Sequence, residues 1–102
     1  MQFGMFTVAD NYIRQIDRSA EQFIDEMIEQ SEAADQLGFD AVWFAEHHFD
    51  EYGILTTPQV LLSAVAQRTQ SVRLGVDVVT LPFHNPIRVA EDYALLDVLS
   101  GG

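Results

Sequence analysis

Residues 41–53 read AVWFAEHHFDEYG. Five apolar residues run without a break into a carboxylate and two adjacent imidazoles, Glu46, His47 and His48. With Phe39 and Asp40 added, the segment FDAVWFAE is nearly all apolar and does not alternate with polar positions. A half-exposed strand alternates, whereas a strand covered on both faces, as in a parallel sheet, does not. The stretch therefore predicts a parallel α/β fold. Its polar end marks where the strand emerges, and in such folds the C-terminal ends of the strands hold the ligand.

Working outward, MQFGMFTV at residues 1–8 predicts a first strand and the polar segment 9–18 a loop. Ser19 followed by Gln22 has the form of a capping box. Phe23, Ile24, Met27, Ile28, Ala34 and Leu37 then recur at helical spacing, and Gly38 is the expected stop. Beyond the central strand, Thr57-Pro58 reads as a cap followed by proline at the first helical position. Val60, Leu61, Ala64 and Val65 are the expected buried stripe of that helix. SVRLGVDVVTLP at residues 71–82 predicts a third strand, and Asn85-Pro86 opens a third helix carrying Ile87, Ala90, Ala94 and Val98 up to Ser100-Gly101-Gly102.

The order is βαβαβα with no linker or low-complexity segment, so parallel strands with right-handed crossovers are expected. A doubly wound sheet of the dinucleotide-binding kind is disfavoured, because the first strand-to-helix turn carries no GxGxxG. Long loops after all three strands suit the working face of a (β/α)8 barrel. Such a barrel needs about 250 residues. Residues 1–102 therefore read as a single incomplete domain, three βα units of a partial TIM barrel.

Net charge is −11, with 16 acidic against 5 basic residues. Nucleic acid and anionic membranes are disfavoured as partners, since both require clustered Lys and Arg. Many of the acids fall between Glu21 and Asp35 and read as a solvated helix face. Cysteine is absent, which excludes disulfides and thiolate metal sites. No apolar run approaches a membrane span of about 20 residues. The N-terminus lacks a signal-peptide layout, so a cytoplasmic setting is expected.

Side chains alternate along a strand, so Glu46 and His48 should share one face and His47 should point the other way. That alternation, with no HxH or HExxH, argues against a metal site at Glu46, His47 and His48. A histidine here can act as general acid or base, or it can be a loop residue satisfied by backbone carbonyls. Asp77 falls within an apolar strand, where a carboxylate must be paired or line a pocket. Asn85 is most simply a helix cap, Glu91 and Asp92 are positioned to pair with Arg88, and Trp43, Phe44 and Phe83 are read as core.

At this point the chain resembles the bacterial luciferase-like, flavin-dependent monooxygenases. The resemblance rests on GFDAVWFAEHHF and on RLGVDVVTLPFHNPIRVAEDYALLDVLSGG, and it runs through all 102 residues from the FGMF strand onward. It implies a (β/α)8 barrel binding reduced flavin, FMN or alternatively a deazaflavin, at the mouth. It further implies reaction with O2 and insertion of one oxygen atom into a small organic substrate, with a flavin reductase as supplier. By motif, His47 is the active-site histidine and Glu46 and His48 are its pocket neighbours. The bond Asp77–Val78 matches the family's non-proline cis peptide beneath the flavin ring, where Asp77 departs from the usual small residue. Histidine commonly precedes the third-helix proline in the family, whereas this chain has His84 and then Asn85, so neither is assigned a catalytic role.

The family's phosphate-binding groups come mainly from later strands, so the 102 residues are expected to be inactive alone and to homo-oligomerise through uncovered edges. Two alternatives stand beside this reading. One is a non-catalytic luciferase-like subunit or interaction module; the other is a metal-dependent barrel hydrolase.

Overall fold

A computed structural model describes residues 1–12, 15–50 and 53–102. The elements are β1 (Gly4–Thr7), α1 (Ala20–Gln36), β2 (Ala41–Phe44), α2 (Pro58–Ala66), β3 (Arg73–Val76), a short 3-10 turn at Leu81–Phe83, and α3 (Pro86–Ser100). The three strands form one parallel sheet in the order β1-β2-β3, with Thr7 beside Phe44 and Phe44 beside Val76. The βαβαβα order and the parallel pairing follow the sequence reading.

Local chemistry sets the helix starts. Ser19 Oγ accepts from the Gln22 N–H at 3.1 Å, and Gln22 Oε1 accepts from the Ser19 N–H at 2.9 Å, closing the capping box. Asn85 Oδ1 accepts from the Ile87 N–H at 2.9 Å, so the expected cap is present. Thr57 differs from expectation: its side chain makes no capping bond, and Pro58 alone starts α2. The Val60 N–H, which a cap would serve, donates instead to the Thr57 carbonyl at 3.0 Å, and Pro58 at the first helical position has no N–H to satisfy.

Val42, Phe44 and the partly buried Met5, Leu74 and Val76 pack against Phe23 and Met27 of α1 and Leu61, Leu62 and Val65 of α2. Leu96 of α3 completes this core. The opposite face is open: Trp43 is 41% and Phe6 52% exposed. The expected cover on both faces is thus present on one face only among the described residues, and Trp43, like Phe83, is not core. Phe44 is fully buried, as expected.

The helices settle their own faces. On α2, Leu61 and Val65 are buried as expected, but Val60 and Ala64 are exposed and Leu62 takes their place. On α3 the expected stripe is turned outward: Ile87, Ala90 and Val98 face solvent, while Leu96 is buried and Tyr93 packs against the core. Both helices carry apolar residues on more than one side, so spacing alone does not select the buried one.

The acids of α1 are also less solvated than their composition suggests. Asp35 accepts hydrogen bonds from the backbone N–H groups of Gln70, Ser71 and Val72 at 2.9, 2.9 and 2.8 Å. Arg18 pairs with Glu26 at 2.6 Å, and Arg68 with Glu32 at 3.2 Å.

Candidate functional site

Glu46 lies two residues beyond β2, and its carboxylate is shielded from solvent. Oε1 is 2.7 Å from His48 Nε2 and 2.7 Å from His84 Nε2, and Oε2 accepts from the Thr80 N–H at 3.3 Å. Burial pushes the Glu46 carboxyl up, but the hydrogen bonds from His48, His84 and the Thr80 N–H together outweigh it and hold the group below its ordinary range. Glu46 is therefore an anion at neutral pH, and an ionised carboxylate only accepts. An imidazole nitrogen 2.7 Å from such an oxygen meets it favourably only in the tautomer that carries an Nε2–H.

This confirms that Glu46 and His48 share a side. His47 is turned elsewhere. Its N–H donates to the Leu55 carbonyl at 2.9 Å, and its ring lies against Gly53. The Gly53 segment is itself tied to the loop after β1, by a bridge between Asp10 and Gly53 and by a 3.4 Å bond from the Ile54 N–H to the Ala9 carbonyl. By parity along the chain, His47 continues the series Trp43 and Ala45, while Glu46 continues the core-facing series Val42 and Phe44.

β3 ends at Val76, so Asp77 is not in mid-strand; it is an exposed residue at the strand's C-terminal end. A carboxylate there keeps its water, which removes the need for a buried partner. Its backbone N–H donates to the Phe44 carbonyl at 2.9 Å, and the Asp77–Val78 peptide is cis, the bond at which the resemblance places it. Val78 is largely exposed beside it.

The loop after β3 supplies what the sequence left out. The turn Leu81–Phe83 delivers His84 to Glu46, 38 residues away in the chain. Phe83 stands edge-on to the His48 ring at 5.0 Å between centroids, and Phe49 lies 6.1 Å from Phe83. A histidine two residues past the predicted third strand is the available signal, but no sequence spacing ties it to Glu46. Arg88 pairs with Glu91 at 2.8 Å and approaches Asp92 at 3.9 Å, as expected. Glu46, His48 and His84 are side chains of metal-ligand type, with donor atoms all within 4.8 Å of one another. The trio differs from the sequence-level set because His84 replaces His47.

A family profile described as luciferase-like monooxygenase matches residues 1–102. The chain is 43% identical over 86 residues to limonene 1,2-monooxygenase of Rhodococcus erythropolis, covering 84% of this chain and 22% of that one. It is 35% identical over 102 residues to the oxygenase component of the flavin-dependent trigonelline monooxygenase of Acinetobacter baylyi, covering all of this chain and 28% of that one. Among solved structures, monooxygenase RslO1 from Streptomyces bottropensis superposes with a TM-score of 0.88 at 36% identity, over 98% of this chain and 30% of that one. The chain thus spans less than a third of the length of these relatives.

Proposed function

The chain belongs to the luciferase-like monooxygenase family, and from that premise we propose that it forms the first three βα units of a (β/α)8 flavin-dependent monooxygenase. The observation that carries this is the junction of two strand ends. The chain leaving β2 carries Glu46, His47 and His48, and the chain leaving the neighbouring β3 carries Asp77 and Val78, with the Asp77 N–H bonded to the Phe44 carbonyl at 2.9 Å. In this reading His47 is the active-site histidine. Glu46 and His48 are its pocket neighbours, and Asp77 and Val78 support the ring of the cofactor.

The residues suit a flat, largely apolar ring. Val78, two residues beyond β3, and Leu81 and Phe83 in the following 3-10 turn are 66%, 61% and 59% exposed. They do not suit a phosphate, because Glu46 and Asp77 are acidic and Arg88 is already paired with Glu91. A phosphate would be held by groups outside these 102 residues, which supports the reading that they do not turn over alone. Reduced FMN, when bound, would supply the electrons for activating O2, whereas a deazaflavin in its place would supply hydride. The chain's own contribution is narrower: His47 holds or moves a proton at an imidazole nitrogen, and the apolar residues exclude water. A small organic substrate, a flavin reductase, a cytoplasmic setting and homo-oligomerisation over the open face belong to the same proposal. No helix among the described residues is long and apolar enough to cross a membrane.

The test uses the protein at its full encoded length, given reduced flavin and isotopically labelled O2 with a panel of apolar organic substrates. Label should enter product, and His47→Ala should lower turnover by about 100-fold or more, the range of general acid–base catalysis, with flavin affinity nearly unchanged. Turnover that ignores this substitution removes His47 from the mechanism, and an absence of flavin binding removes the reading.

A further inference from the structure

His48 and His84 come from different loops, one following β2 and one following the turn after β3, yet both place Nε2 at 2.7 Å from a single oxygen, Glu46 Oε1. Their ring centroids are 6.4 Å apart. Glu46 is buried, whereas the two imidazole side chains are 20% and 21% exposed, so the rings stand between the carboxylate and solvent. The second oxygen is occupied by the Thr80 N–H. Every close partner of this carboxylate is thus a group that can donate to it. The charge of Glu46 reaches α3 as well: burial first, and then Glu46 and Asp92, push the Tyr93 hydroxyl up.

A carboxylate oxygen that accepts from two imidazoles fixes the tautomer of both. Each neutral ring then carries its hydrogen on Nε2 and keeps Nδ1 as its acceptor. It also fixes distance, because neither loop can withdraw without leaving a buried charge short of a partner. We propose that Glu46 is a positioning residue that clamps His48 and His84 together as Nε2-protonated imidazoles across the ends of β2 and β3, making His84 a further residue of the oxygenation site. The placement of His84 in that site rests on the flavin reading; the clamp itself rests on geometry alone. The 2.7 Å separations are those of shared hydrogen bonds to a charged acceptor. A divalent cation held by the same atoms would replace both ring hydrogens.

Two measurements test the proposal separately. Long-range proton–nitrogen NMR spectra of the nitrogen-labelled chain, taken in chelator-treated buffer, read the tautomers without flavin. Both His48 and His84 should be Nε2-protonated, with those hydrogens exchanging slowly with water. Glu46→Ala should release both, and His84→Asn should leave the His48 signal protected. Should Glu46→Ala fail to fold, as circular dichroism would reveal, the parent spectrum and His84→Asn still decide. A ring found as the Nδ1–H form, or rapid exchange at either Nε2, overturns the clamp. So does tight uptake of added Zn2+ that is lost in the His84→Asn variant. The second measurement is turnover of the flavin-loaded protein at full encoded length. His84→Asn should lower kcat about tenfold or more, within reach of a proton-handling or orienting group, while flavin affinity stays within a few-fold. Unchanged turnover removes His84 from the site. If the parent shows no flavin chemistry but the tautomers are as stated, the flavin reading fails, and with it the assignment of His84 to the oxygenation site, while the clamp stands.

Discussion

At Gly53 a side chain would have to share space with the His47 ring. A Cβ built there would lie well inside van der Waals contact with the His47 Cβ and with Cγ and Cδ2 of its ring. Gly53 is buried, and its segment is pinned by the bridge to Asp10, so the glycine cannot back away. Gly53→Ala should therefore move the imidazole and cost about 1–3 kcal/mol, the usual range for overpacking a filled site. Urea unfolding measures the cost, and the His47 ring resonances report the displacement. A variant of parental stability with those resonances unmoved would show that the loop gives way and the ring does not depend on it. At this scale the sequence was readable where residues are neighbours. Parity places Glu46 and His48 on one side and His47 on the other, because side chains alternate along an extended backbone. His84 was not readable in the same way. Its partner is 38 residues away, and only the packing of two loops brings them together.

Among the elements, the joint between α1 and β3 depends on one carboxylate. Asp35, in the last turn of α1, ties three successive backbone N–H groups at the approach to β3. The bonds from Gln70 and Ser71 hold its carboxyl below the ordinary range, burial opposes them, and the Val72 bond adds to the lowering. Asp35→Ala should destabilise the fold by about 1–2 kcal/mol, toward the lower end for bonds to a charged acceptor because water competes at the exposed ones. The sign with pH follows from the lowered pKa. The stabilisation is fully present above the unfolded value of about 3.9 and is lost as pH falls through the lower native value. Denaturant midpoints of parent and variant should stay apart at neutral pH and converge in acid; a gap that persists in acid would rule out the carboxylate as its source. In sequence this residue looked like one more acid on a solvated face, because nothing in helical spacing marks a side chain that reaches beyond its own helix. Element order and the caps at Ser19 and Asn85 were legible because each rests on a contact of two or three residues. The buried face of α3 was not, since a helix with apolar residues all round takes its orientation from its neighbours. The extent of β3 was overread for a related reason: valine-rich segments favour extended backbone whether or not a neighbouring strand pairs with them.

Among the described residues one sheet face is packed and one bare, and the chain's single tryptophan lies on the bare one. Trp43 pairs with Phe6 on β1 and with Gly75 on β3, and its ring spreads over the glycine: a Cβ at Gly75 would run into the ring, while one at Gly4 would sit 3.3 Å from Nε1. Both neighbouring strands therefore leave room for the indole to lie across the sheet with its outer surface uncovered. An aromatic patch of this kind, with Phe6 alongside, is more apolar surface than a solitary domain gains from exposing. Trp43 fluorescence reads its state directly. With only these 102 residues present and dilute, the emission should be that of a solvated indole and acrylamide should quench it freely. Closure of a barrel over the face, or association of copies through it, should shift the emission to the blue and reduce quenching several-fold; association alone would do so in proportion to concentration, with a matching rise in mass. A blue, protected emission from a monomeric 102-residue chain would mean that the face is covered from within, and the case for an open barrel segment would fail on that point.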